Sequence, residues 1–170
     1  MVRTLAGSAL ESNAELIRSF YSAFQRRDHE AMFACYAPGA TFRDPVFGDL
    51  AGWKIAAMWR MLCERATDLD VRASGIAAGP EGGTARWDAT YTFAGTGRRV
   101  HNVIDASFTF FDGRISTHID SFDLYRWSRQ ALGLKGVLLG WTPMVQNAIR
   151  TQASSGLEAF IRKKGLGPAK

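Results

Sequence analysis

Hydrophobic positions along this chain keep two different periods. Over residues 12–27 they fall at helical spacing, with Leu16, Ile17, Phe20 and Phe24 on one face. Ser12-x-x-Glu15 has the form of a capping box and predicts the start of that helix. Asp28 can cap a shorter helix carrying Ala31, Met32, Cys35 and Tyr36, which Pro38-Gly39 ends. Residues 40–44 read as a short strand stopped by Pro45, and a third helix runs from about Gly52 to Thr67 with Ile55, Met58, Trp59 and Leu62 as its stripe. From residue 69 the period falls to two. A weak strand covers 69–78. A strong one covers 83–93, where Ala85, Trp87, Ala89, Tyr91 and Phe93 alternate with Arg86, Asp88, Thr90 and Thr92. Two more strands, 98–110 and 114–123, follow the turns at Ala94–Gly97 and Phe111–Gly113. The pattern predicts an α+β fold in which helices pack on a curved antiparallel meander with one buried face. After Asp123 the helical period returns. Tyr125–Leu132 is a short helix and Leu134–Gly140 an apolar connector. Thr142-Pro143 opens a last helix with Val145, Ile149, Ala153, Leu157 and Phe160 on one stripe.

The length of 170 residues suits one domain, residues 1–123, with a helical extension of the same domain over 124–170. Hydrophobic residues make up 46% and charged residues 22%, which excludes a disordered or collagen-like chain. Charge is unevenly spread. Residues 1–123 hold 13 Lys and Arg against 15 Asp and Glu, whereas residues 124–170 hold 8 against Glu158 alone. The basic residues do not alternate with stacking aromatics, so they read as a solvated face and no nucleic-acid partner is expected. No apolar run approaches the ~20 residues of a membrane span, and no membrane partner is expected. Cys35 and Cys63 offer neither metal spacing nor a disulfide framework. With an N-terminus lacking the apolar stretch of a signal peptide, this implies reduced thiols and a cytoplasmic location.

No phosphate loop, dinucleotide fingerprint, zinc-protease motif or nucleophile elbow is present, so no cofactor and no metal are expected. The informative residues are polar groups on strands with a buried face. Asp105 lies in Asn102-Val-Ile-Asp-Ala-Ser-Phe108, where a buried carboxylate has to be paired, hydrogen-bonded or protonated. His118, Asp120 and Phe122 share one face of the last strand, opposite Thr117, Ile119 and Ser121. That face is either a polar cluster in a pocket or simply exposed. Asp44, before Pro45, is either a site residue or a turn residue, and Arg43 points to the surface.

Over residues 12–124 the chain resembles the NTF2-like superfamily, the SnoaL-like or ketosteroid isomerase-like proteins. The resemblance rests on the helix pair ending in Ala31-Met-Phe-Ala-Cys-Tyr-Ala-Pro-Gly-Ala-Thr-Phe-Arg-Asp-Pro-Val46, the Gly-led third helix and the closing Gly113-Arg-Ile-Ser-Thr-His-Ile-Asp-Ser-Phe-Asp123. It implies an NTF2-like cone, and it marks fold better than activity. Asp44-Pro45-Val46 is similar to the steroid isomerases' Asp-Pro-Val, whose Asp is the general base. Ile104-Asp105 is similar to their Ile-Asp, whose protonated Asp donates to the enolate oxygen. The tyrosine donor of those enzymes falls at Phe20. Tyr21 is next to it but about 100° away around the helix. His118 or Asp120 could take over that donor's role, and the His118/Asp120 pair is similar to the pocket pair of SnoaL-type polyketide cyclases.

The leading expectation is therefore cofactor-independent proton abstraction beside a carbonyl, of the isomerase or polyketide-cyclase type. The substrate would be a small apolar ring compound in a cone pocket lined by Phe20, Phe24, Trp59, Trp87 and Phe122. Asp44 or Asp120 would be the base, and Asp105 with His118 would stabilise the enolate. A second reading is an epoxide hydrolase or dehydratase using Asp120, Asp88 and Arg86, which works only if the aromatic face of residues 83–93 is the outer one. A third is a non-enzymatic small-ligand-binding or dimerisation module. A homodimer is expected, and the connector Val137-Leu-Leu-Gly-Trp141 is either a lid over the cone mouth or a subunit contact.

Overall fold

The computed structural model describes residues 2–168, with side chains from residue 11 onward. Helix α1 (Val2–Gln25) passes straight through Ser12, so the expected capping box does not form, and Glu15 pairs with Arg18 instead. Residues 5–11 contain no proline, and extending an existing helix costs less than ending one. Asp28 does cap α2 (His29–Ala34), its side chain accepting from the Ala31 N–H at 3.0 Å. The remaining elements are β1 (Tyr36–Asp44), β2 (Gly48–Ala51), α3 (Trp53–Arg65), β3 (Asp70–Ala78), β4 (Gly82–Phe93), β5 (Arg98–Phe111), β6 (Arg114–Ser121), α4 (Leu124–Leu132), α5 (Leu134–Leu139) and α6 (Pro143–Lys164).

The strands form one six-stranded sheet in the order β2-β1-β6-β5-β4-β3. It is not wholly antiparallel, because β1 lies parallel to β6, with Phe42 beside His118 and Arg43 beside Ile119. Strand β1 begins earlier than the pattern predicts and absorbs Pro38-Gly39 as a register shift between Tyr36 and Thr41. The concave face follows from alternation. Ala85, Trp87 and Ala89 of β4, Ile104, Ala106 and Phe108 of β5, and Ile115, His118 and Asp120 of β6 are all buried. Helix α1 closes on that face with Ile17, Phe20, Tyr21 and Phe24, and α3 adds Ile55, Met58 and Trp59.

The helical extension completes the cone. Trp127 and Leu124 of α4 join Val100 of β5, with Tyr91, Phe93, Phe122 and Ile149 of α6 packed around them, in a second apolar cluster. Further along α6, Leu157, Phe160 and Ile161 join the main core, and Lys54–Glu158 and Glu64–Lys164 ion pairs tie α6 to α3. The residues expected to be an apolar connector are helix α5 and a turn. They pack on α4 through Gly136 and Gly140 and leave Val137, Leu138 and Trp141 exposed. Among the described residues no helix is long and apolar enough to cross a membrane.

Candidate active site

Strand β6 directs His118 and Asp120 inward, and the groups around them complete a hydrogen-bonded chain. Trp59 Nε1 donates to Tyr36 Oη at 3.1 Å, Tyr36 Oη meets His118 Nδ1 at 2.7 Å, and His118 Nε2 meets Asp120 Oδ1 at 3.0 Å. Trp87 Nε1 donates to the same carboxylate oxygen at 3.2 Å. Donor accounting sets the direction. If Nδ1 donated, Tyr36 would accept twice and its own proton would have no acceptor in this fully enclosed site. Tyr36 therefore donates to Nδ1, and the imidazole Nε2–H donates to Asp120. Tyr36 is pushed well above the ordinary phenol range, chiefly by burial, and so keeps the proton this arrangement requires.

Two further groups converge on Asp120. Asp44 is the next inward residue of β1 after Phe42, which places it beside Asp120 where the parallel strands continue. Its Oδ1 accepts from the Val46 and Phe47 N–H groups at 2.9 and 2.5 Å, the turn that Pro45 begins. Burial is the main cause that raises Asp44 to about 6, with the Asp120 charge adding to it against those backbone bonds. Tyr21, from α1, is the other. Its hydroxyl is raised well above 10.0 by burial first and then by Asp120 and Tyr36. Among the described residues it is the one buried side-chain polar atom with no hydrogen-bond partner. The site thus holds a half-buried carboxyl near neutrality and an uncommitted phenolic donor, both close enough to Asp120 to feel its charge.

The expected residues divide clearly. Asp44, His118 and Asp120 come together. Asp105 does not: it lies on the convex face with its side chain 75% exposed, 4.0 Å from Arg86. On β5 the inward phase is Ile104, Ala106 and Phe108, so Asp105 must point out, and its expected role as a buried enolate donor is corrected. Arg86 and Asp88 share that outer side, with Asp88 bound to His101 at 2.7 Å, so they do not meet Asp120 as a water-activating set. Phe20, Phe24, Trp59 and Trp87 are inward, but they fill the cone where the sequence predicts that they line a pocket. The centroids of Phe20, Phe42, Phe108, Tyr36 and Trp59 lie 4.4 to 6.1 Å from that of His118, which is 0% exposed. Phe122 is half-buried at the mouth, bridging both apolar clusters. Two open depressions, about 370 and 530 Å³, lie outside the cone.

Sequence reasoning missed Tyr21 and Tyr36. Tyr21 stands four residues after Ile17 and three before Phe24, which is the same helical stripe widened by one position. Tyr36 reads as a helix residue in sequence, and its partner is 82 residues away.

Comparison with known proteins agrees with this architecture. A family model of the SnoaL-like domain matches residues 17–118. A search of curated proteins finds no match. An epoxide hydrolase of Mycobacterium tuberculosis is similar at 20% identity and a TM-score of 0.62, over 76% of this chain and 94% of that one. A protein described as a polyketide cyclase from Xanthomonas campestris is similar at 22% identity and a TM-score of 0.57, over 72% and 98%. A protein with a ketosteroid isomerase-like fold from Catenulispora acidiphila is similar at 16% identity and a TM-score of 0.63, over 76% and 98%.

Proposed function

This chain belongs to the SnoaL-like domain family, and on that premise we propose that it moves a proton beside a carbonyl, without a cofactor, on a small apolar ring compound. The observation that carries the proposal is that one buried carboxylate, Asp120, acts on both an unpartnered Tyr21 hydroxyl and an Asp44 carboxyl raised to about 6. An enolising site needs a base that is largely ionised at neutral pH yet basic enough to take a carbon-bound proton, and Asp44 has that balance. It also needs a donor for the oxygen on which charge develops. Tyr21 has its proton and no competing acceptor.

The steps balance simply. Asp44 removes the proton from the carbon next to the carbonyl, and the electron pair moves onto the carbonyl oxygen, where Tyr21 donates a hydrogen bond. Asp44 then returns the proton to a second carbon, as in an isomerase. Alternatively the enolate carbon attacks a second carbonyl, as in a cyclase, and that oxygen receives the proton. His118 and Trp87 orient Asp120 by hydrogen bonds, and the Asp120 charge helps set the proton affinities of Asp44 and Tyr21. Since aromatic rings fill the interior and the Tyr21 hydroxyl is enclosed, the proposal requires the half-buried rim of Val46, Phe47 and Phe122 on the Asp44 side to open as the ligand enters. A homodimer is part of this proposal, paired through the convex sheet face where Ile119 is exposed.

The closed interior favours one rival, a binding or dimerisation module whose polar chain only orders the core. Turnover separates the two. The proposal expects conversion of a β,γ-unsaturated cyclic ketone to its conjugated isomer, followed by absorbance, with kcat/KM rising as pH passes about 6. Asp44→Asn should lose about 10²–10⁴-fold and Tyr21→Phe about 10²–10³-fold. No turnover, or turnover indifferent to both substitutions, would leave the module.

A further inference from the structure

Helix α5 is mounted with its apolar side outward. It packs on α4 through Gly136, where an added Cβ would stand 1.9 Å from the Ser128 carbonyl oxygen, and through Gly140, where it would stand 2.0 Å from Ser128 Oγ. The side chains that would normally face a core point to solvent. Leu134, Val137, Leu138 and Trp141 follow the spacing i, i+3, i+4, i+7, with Trp141 in the turn just past the helix end, and they are 72, 46, 60 and 63% exposed. Met144, in the first turn of α6, is also exposed, at 71%. A contiguous apolar patch of this kind marks an interaction surface.

Beside it lies a cationic depression of about 370 Å³, lined by Arg98, Arg99, Arg126, Arg129, Gln130 and Val137. Val137 belongs to both features. Tyr125 Oη donates to the Val137 carbonyl at 2.9 Å, and the Arg129 guanidinium lies 5.1 Å from the centre of the Tyr125 ring, so α4 and α5 hold the two surfaces in fixed relation. Arg98 is fixed by donating to the Gln130 carbonyl at 2.8 Å. Among the described residues Arg99 alone of the four arginines meets a carboxylate, Asp68 at 3.1 Å. Lys135 adds a cation on α5 itself.

We propose that this patch docks the protein on an anionic phospholipid surface, with the α5 side chains in the acyl boundary and lipid phosphates against the arginines. The pattern of apolar side chains, one exposed tryptophan and flanking cations is what interfacial binding requires. A second copy of this chain fits less well. A two-fold contact places the same patch on itself, which would set arginines against arginines without a facing carboxylate cluster. Docking does not depend on the chemistry inside the cone.

The test is co-sedimentation of the full chain with phosphatidylcholine vesicles with and without about 30% phosphatidylserine, at low and high salt. Expected are binding to the anionic vesicles alone, loss of binding with salt, and a blue shift of tryptophan emission that Trp141→Phe abolishes. Leu134→Ser with Leu138→Ser should weaken binding at least about tenfold. Arg126→Gln with Arg129→Gln should weaken it about fivefold per arginine. All four side chains are on the surface, and circular dichroism checks that each variant folds. Three results would overturn the proposal: no vesicle binding, binding of free glycerophosphate without vesicle binding, or a dimer in solution that the leucine pair dissociates.

Discussion

Tyr36→Phe and Tyr21→Phe remove the same atom from two rings of one core, and the structure gives them opposite expectations. Without its hydroxyl, residue 36 leaves Trp59 Nε1–H without an acceptor and His118 Nδ1 without a donor, both in fully buried positions. Each orphaned group costs about 1–3 kcal/mol, so the loss should be about 2–6 kcal/mol. Against a total stability of about 5–15 kcal/mol, that is a large fraction. Tyr21 loses no hydrogen bond, and its Phe variant no longer buries an unsatisfied hydroxyl. Its stability should change by less than about 0.5 kcal/mol or increase. Urea unfolding followed by tryptophan emission measures both, with the m-value expected to stay constant. In thermal melts each kcal/mol corresponds to about 2–4 °C for a chain of this size. Under the proposed function Tyr21→Phe is also the variant that loses turnover, so a more stable protein would be a less active one. Equal losses in the two variants would refute the donor accounting. A loss above about 1 kcal/mol for Tyr21→Phe would mean that its hydroxyl is bonded after all, and with it would go the open donor on which the mechanism rests.

Asp44 gives a pH signature of definite sign. Its folded pKa of about 6 lies above the 3.8 of the unfolded chain, so the folded state binds the extra proton and stability falls as pH rises from about 4 to about 6. The decline should be at most about 3 kcal/mol, and melts of Asp44→Asn over the same range should be flatter. Gly136→Ala drives a Cβ into the Ser128 carbonyl and should cost about 1–3 kcal/mol or more, with faster amide exchange across residues 134–141 as α5 lifts from α4. Leu157→Ala, in the buried stripe of α6, should cost about 2–5 kcal/mol by urea unfolding, because α6 is part of the core and not an appendage.

Local chemistry in the sequence determined much of this protein. The Asp28 cap, the change of period near residue 69 and the alternation that turns His118 and Asp120 to one side depend only on neighbours a few residues apart. All are therefore legible without a fold. The inward phase of β5 was legible too. Ile104, Ala106 and Phe108 alternate with Asp105, and reading that phase in place of the Ile-Asp resemblance puts Asp105 outside. What only the tertiary structure decided is the set of meetings between distant segments. Parallel pairing of β1 with β6 brings Asp44 beside Asp120 and Tyr36 onto His118, and α1 carries Tyr21 to the same point. Packing likewise decided that the rings expected to line a hollow close it, and that α5 turns its glycines inward and its leucines out. Periodicity says which side of an element is apolar. Whether that side meets a helix, a ligand or water depends on volumes and contacts that no single segment contains.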